Sequence, residues 1–458
     1  MTRNNNNLKI NRNKLSTEQA WNLLFDRYEI SKKIQSDGLF YITAEQIKEY
    51  REPRLMAKWD SSGQLPAPFK NKGINILPNS RRSYVMSDFL LYEEFPEERY
   101  NIKNLSSVQL PELETIDIDN INSEANAINI LQLSGILEDF LELDVEDKLY
   151  STFNGRMSSG SFNFKVDTNR KIQREVFVDR AQIEIDGGFE SRDYVVILEA
   201  KNVLHDDFLI RQLYYPFRLW ESRVQKPVKL IFSVYTNKIF RLMEYCFEDK
   251  NNYSSIKLIK TQSYSLEDIS ITTDELIEVY HSIREENLID DNMYNSKERD
   301  SIPFVQADDF NRIINLMENM YSSPMTGQEI MDLMVFTNRQ KDYYYNAGKY
   351  LGIFEKIKTE DSKNLYKLTS LGESIYQSGY KKRQLKLVEQ ILSHKIFYDL
   401  FGETISSGEL PSKERVVELE LGYNVCTEKT AGRRASTVIS WLRWILTLEK
   451  IQVTETTK

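Results

Sequence analysis

The stretch "IEIDGGFESRDYVVILEAKN", Ile183 to Asn202, decides how the chain is read. The apolar run Val195-Val196-Ile197-Leu198 leads directly into Glu199 and Lys201. A buried strand excludes ionised groups unless they are paired or do chemistry, because desolvating a lone charge is costly. Side chains alternate along a strand, so Glu199 and Lys201 point to one face. Other Glu-x-Lys copies, at Glu146 and Glu248, lie in polar surroundings and carry no such tension. Asp186 ends the preceding strand, with "GGFESRD" as the expected turn. A tight hairpin there would separate Asp186 from Glu199, whereas a bend or bulge at Gly187 and Gly188 would join them. Glu184 and Gln182, on the same face of that strand, are the alternatives.

Around this stretch the pattern is α/β (α+β). A long helix is expected over Glu124 to Leu143. Strands follow near Glu175 to Asp186, Asp193 to Ala200, Val228 to Tyr235, Ile239 to Phe247 and Ile256 to Thr261. A helix from Asp206 to Arg223 carries Leu209, Leu213, Phe217 and Trp220 on one face and reads as a crossover between neighbouring strands.

The 458 residues suggest about three domains, and 41% hydrophobic with 28% charged residues marks a globular chain. Polar stretches at 101–122 and 284–304 divide it into an N-terminal block (1–105), a central block (106–290) and a helical block whose two parts are 305–380 and 381–458. The Asn4 to Asn7 run reads as a loose end. No segment is long and apolar enough to span a bilayer, and no apolar signal segment opens the chain. Two distant cysteines, Cys246 and Cys426, argue for the reducing cytoplasm. Three histidines argue against a histidine-rich zinc site and against most histidine-based triads. The net charge of -9 opposes non-specific nucleic-acid binding and leaves specific binding open.

Paired carboxylates beside a lysine suit phosphodiester hydrolysis. Mg²⁺ takes oxygen ligands and keeps several waters. It polarises the phosphate and acidifies water, and an adjacent ammonium offsets the developing charge. On these residues, "IEID" followed by "VVILEAK" with Asp186, Glu199 and Lys201, the chain resembles the PD-(D/E)XK nuclease superfamily, and as a whole a type II restriction endonuclease. "RQLYYPFR" adds to the likeness, with Gln212 and Tyr215 in the positions of that family's Gln and Tyr. The sequence departs from the pattern in lacking a Pro before Asp186. The resemblance implies a nuclease core with a mixed central sheet, flanked by helical domains. It also implies Mg²⁺ held by Asp186 and Glu199, catalysis by Asp186, Glu199, Lys201 and Gln212, double-stranded DNA as substrate, and a companion DNA methyltransferase encoded nearby. Glu138, in "ILEDFLEL", is a candidate helix-borne acid; its plain alternative is a solvated helix face.

Candidate DNA contacts lie in four places. Arg156, in the Gly- and Ser-rich "NGRMSSGSF", could touch backbone phosphate or sit in a mere turn. In the N-terminal block, Arg51, Arg54, Lys58, Arg81 and Arg82 form either a solvated basic face or part of a small helix-turn-helix-type domain. In the 305–380 part, three helices and a two-stranded hairpin follow the winged-helix order, and Asn338, Arg339, Gln340 and Lys341 open the third helix, where amides and guanidiniums can read bases. The last part repeats the theme in reduced form. There Arg433 and Arg434 precede the core stripe Val438, Trp441, Leu442 and Ile445, and "EKIQVTE" reads as a remnant strand. A homodimer is expected if the target is palindromic. A non-catalytic DNA-binding regulator with Glu199 and Lys201 as a buried ion pair, or a structure-reading repair nuclease, are the other readings.

Overall fold

The computed structural model describes residues 15–97, 101–105, 113–118, 120–292, 302–359, 361 and 363–455. The Asn4 to Asn7 run, and parts of both polar stretches that separate the blocks, lie outside the described residues.

A mixed sheet of eight strands organises the centre. In chain order they are β1 (Asn101–Asn104), β2 (Tyr150–Ser158), β3 (Gln182–Glu190), β4 (Val195–Lys201), β5 (Val228–Thr236), β6 (Ile239–Phe247), β7 (Ile256–Ser265) and β8 (Gln452–Glu455). Their spatial order is β8-β1-β7-β6-β5-β4-β3-β2. β4 pairs antiparallel with β3 and parallel with β5. A parallel pair needs a crossover, supplied by the helix α3 (Arg211–Glu221). Two helices, α1 (Glu124–Leu133) and α2 (Ile136–Leu141), pack on the other face. β4 is therefore covered on both sides: Val196, Leu198 and Ala200 join Ile128, Leu131 and Leu137, while Ile197 joins Leu213, Tyr214 and Tyr215. That burial explains the unbroken apolar run.

Three expectations change. The helix at 124–143 is two helices, broken where Gly135 takes φ 71°. The strand expected over 175–186 is two strands, Gln173–Asp179 and β3, separated at Arg180 with φ 50°. The final strand is no remnant wing: β8 lies parallel to β1 and extends the central sheet. One core also runs across the 380/381 division, with Ile353, Leu368, Leu387, Phe397 and Trp441 in it. Val438, Leu442 and Ile445 are buried as expected.

Two flanking units share a topology. In the first, helices Thr17–Arg27 and Ile30–Asp37 precede strand Phe40–Thr43, helices Ala44–Lys48 and Ala67–Lys70, and strands Asn75–Pro78 and Ser83–Ser87. In the second, helix Phe310–Ser322 precedes strand Met325–Thr326, helices Gly327–Met334 and Asn338–Tyr350, and strands Phe354–Lys358 and Asn364–Leu368. In both sheets the last strand lies between the other two. In both, a threonine ending the first strand caps the next helix, Thr43 with Gln46 and Thr326 with Glu329, each in a reciprocal capping box. The first unit thus mixes helices with short strands, as its sequence suggests.

Candidate active site

The sequence seen as a turn, Gly187 to Glu190, is strand. β3 runs on to Glu190, and the turn is 191–194, closed by the Ser191 N–H donating to the Tyr194 carbonyl at 2.9 Å. Register then decides the site. Val195 pairs with Glu190 and Leu198 with Gly187, so the next step along both strands sets Asp186 beside Glu199. The Ala200 N–H donates to Asp186 Oδ2 at 3.1 Å and fixes that carboxylate across the pair.

Glu199 is 5% exposed. Lys201 Nζ stands 2.7 Å from Glu199 Oε1 and 3.6 Å from Glu124 Oε1. Gln212, on the first turn of α3, donates Nε2 to Glu199 Oε1. Glu124 opens α1, whose N-terminus the Asn202 carboxamide oxygen reaches, in the orientation that satisfies both groups, accepting from Ser123 and Glu124 N–H at 3.3 Å each. Residues just past the β4 end thus anchor the helix that brings the third acid.

Burial pushes the Glu199 carboxyl up to about 8; Lys201 opposes the shift and Asp186 adds to it. Glu124 is raised by burial as well. Burial works to lower the Lys201 ammonium, but Glu199, Glu124, Asp60 and Asp186 outweigh it and the net shift is upward. Among the described residues no cage of three or more His, Cys, Asp or Glu groups is drawn together. The pair Asp186 and Glu199 nonetheless fits a hard cation, since Mg²⁺ is commonly bound through one or two carboxylates with water and phosphate completing its shell. One feature of the pocket supports that fit: Gln212 Oε1 is buried without a hydrogen-bond partner among the described residues.

These groups lie in a cleft of about 800 Å³. Gln182, Glu184 and Arg156 line it too, with Arg156 Nε 3.3 Å from Glu184 Oε1 on an exposed stretch. Arg54, Lys58 and Arg81 enter it from the N-terminal block. Asp60, Glu124 and Arg211 also line it and were not legible as site residues. Their signals were faint: Glu124 only starts a helix, Arg211 only precedes Gln212, and Asp60 arrives from another block.

Other expected residues lie elsewhere. Glu138 is not in the cleft; it accepts the Leu149 N–H at 3.4 Å. Arg51 donates to the Leu15 carbonyl inside the N-terminal block. Tyr215 is core, its hydroxyl donating to the Pro78 carbonyl at 3.0 Å. At the start of helix Asn338–Tyr350, Asn338 and Arg339 are exposed, with Arg339 Nε donating to the Tyr343 hydroxyl. Gln340 is occupied in a capping box with Thr337. Lys341 is buried, its Nζ 3.0 Å from Asn338 Oδ1 and 3.1 Å from Asp342. Arg433 is exposed, while Arg434 is half-buried beside Phe304.

Among the described residues no helix is long and apolar enough to cross a membrane. Three family models match the chain, each described only as a domain of unknown function: DUF6996 over residues 18–86, DUF6997 over 87–265 and DUF7226 over 312–450. The second spans the strands and helices that build the cleft floor, and the third crosses the 380/381 division as the shared core does. No curated protein matches the chain. No solved structure matches it.

Proposed function

We propose that the chain is a Mg²⁺-dependent, site-specific endonuclease of double-stranded DNA, of the PD-(D/E)XK type, with winged-helix recognition units. The observation that carries this reading is the adjacency of Asp186 and Glu199 on neighbouring strands, with Lys201 2.7 Å from Glu199. The shared element order and sheet order of the two flanking units support the winged-helix part.

Asp186 and Glu199 would hold Mg²⁺, which supplies Lewis-acid polarisation of the scissile phosphate and an acidified attacking water. The chain's own groups do the rest. The Ala200 N–H holds Asp186 in place, and Gln212 and Lys201 hold Glu199. The Lys201 ammonium stays protonated among carboxylates and offsets the charge that builds on the phosphoryl oxygens. A water oxygen bonds to phosphorus as one ester P–O bond breaks, leaving a phosphate monoester and a hydroxyl. A homodimer fits a palindromic target.

Plasmid DNA incubated with the protein and Mg²⁺ tests the reading. Discrete fragments are expected, and their loss in Glu199→Ala and Lys201→Ala with specific binding retained. No cutting by the wild type would favour a non-catalytic regulator, and cuts that follow structure instead of sequence would favour a repair nuclease.

A further inference from the structure

The two flanking units share a scaffold; besides the extra helix Ile30–Asp37 of the first, they differ in one connection. In the C-terminal unit the second and third helices are joined by residues 335–337 alone. In the N-terminal unit the equivalent connection is residues 49–66, and the helix that matches the other unit's third is only Ala67–Lys70. That short helix is no reading head, because Pro68 and Phe69 are buried and Lys70 donates to the Gly63 carbonyl at 2.5 Å. The long connection is the feature this unit has gained.

It is firmly anchored. The Met56 carbonyl accepts Trp21 Nε1 at 2.7 Å. Trp59 is buried, its ring 4.9 Å from Phe69 and 6.4 Å from Trp21. The Asp60 carbonyl accepts the Leu209 N–H at 2.9 Å, and Ser61 Oγ donates to Asp207 at 2.6 Å. Held between and beside these anchors, Arg54 and Lys58 are exposed and line the catalytic cleft, joined by Arg81 from the turn of the following hairpin. None of the three makes a hydrogen bond or ion pair among the described residues, although Glu52 and Asp60 line the same cleft. Free cations placed beside a carboxylate site fit an anion that arrives from outside. A space of about 800 Å³ is that of a ligand pocket.

The geometry points to a phosphate clamp, in which Arg54, Lys58 and Arg81 grip the phosphates flanking the scissile one and so position a single strand of the substrate over Asp186 and Glu199. The N-terminal unit is then part of the active site. The inference rests on the nuclease reading for the identity of the anion.

Binding without catalysis separates the two ideas. The wild type, the triple variant Arg54→Ala/Lys58→Ala/Arg81→Ala and the distant control Lys382→Ala are compared for affinity to a duplex of about 30 base pairs, in EDTA, from about 50 to 200 mM NaCl. All four substituted side chains are exposed and outside the core, so folding is checked simply by circular dichroism. Each lost phosphate contact flattens the slope of log K against log salt by about 0.9, so the triple variant is expected to lose about 2.7 and the control nothing. With Mg²⁺ the triple variant raises KM far more than it lowers kcat. An unchanged slope, or no duplex binding by the wild type, overturns the clamp. A wild type that binds with the steeper slope yet leaves DNA intact in Mg²⁺ overturns the nuclease reading and leaves the clamp as a binding surface.

Discussion

Asp186 accepts the backbone N–H of Ala200 at 3.1 Å, and this bond across β3 and β4 fixes the Asp186 carboxylate beside the strand position that carries Glu199. Asp186 therefore has a structural as well as a chemical duty, and two substitutions separate them. Asp186→Asn keeps an oxygen for the Ala200 N–H, so stability is expected to hold while cutting is lost. Asp186→Ala is expected to lose cutting and to destabilise the fold by about 1–3 kcal/mol, the cost of leaving a buried donor unpaired. Urea unfolding beside a plasmid assay reads both.

Gln212 bonds the buried oxygen of Glu199 that Lys201 also holds. Its removal leaves the carboxylate in place but less firmly oriented. Gln212→Ala is expected to weaken the apparent Mg²⁺ affinity or the cutting rate by about 10–100-fold, as loss of groups that orient ligands does. A Mg²⁺ titration of cutting that matches the wild type would remove Gln212 from the site.

Glu420 contributes to the pH dependence of stability. It is fully buried, with Oε1 unpartnered among the described residues and the Cys426 thiol 3.6 Å from Oε2. Burial raises its carboxyl to about 7 from an ordinary 4.5. A group raised on folding stabilises fully below its unfolded value, and that contribution is lost as pH climbs through the folded one. The wild type is therefore expected to lose thermal stability between about pH 4.5 and pH 7 from this group. Glu420→Gln keeps the neutral shape and is expected to flatten that part of the Tm profile. Equal pH profiles for the two proteins would contradict the assignment.

Gly188 lies two residues from Asp186, and a Cβ there would collide with the Phe153 ring and the Phe153 carbonyl oxygen. Because a backbone atom is among the obstacles, the strand itself must shift. Gly188→Ala is expected to cost about 1–3 kcal/mol, the range for overpacking, and to displace the neighbouring carboxylate. Cutting should fall further than the loss of folded protein explains, as measured on the soluble fraction at low temperature.

The apolar run leading into Glu199, its alternation with Lys201 and the crossover helix were all legible, because each depends on residues a few positions apart. Periodicity is local, and it places Glu199, Lys201 and Gln212 on named elements. What the sequence left open was register. Whether Asp186 meets Glu199 turned on where the β3–β4 turn falls, and a turn of 191–194 instead of one beginning at Gly187 moves Asp186 from the hairpin tip to the side of Glu199. Two glycines misled because they suggest a turn, while here one of them makes room for Phe153 inside a strand. Only the tertiary structure brought Glu124, Asp60 and Arg211 into the cleft and carried β8 to the far edge of the central sheet. Contacts between residues distant in the chain are chosen by the fit of whole surfaces, and no spacing along the sequence records them.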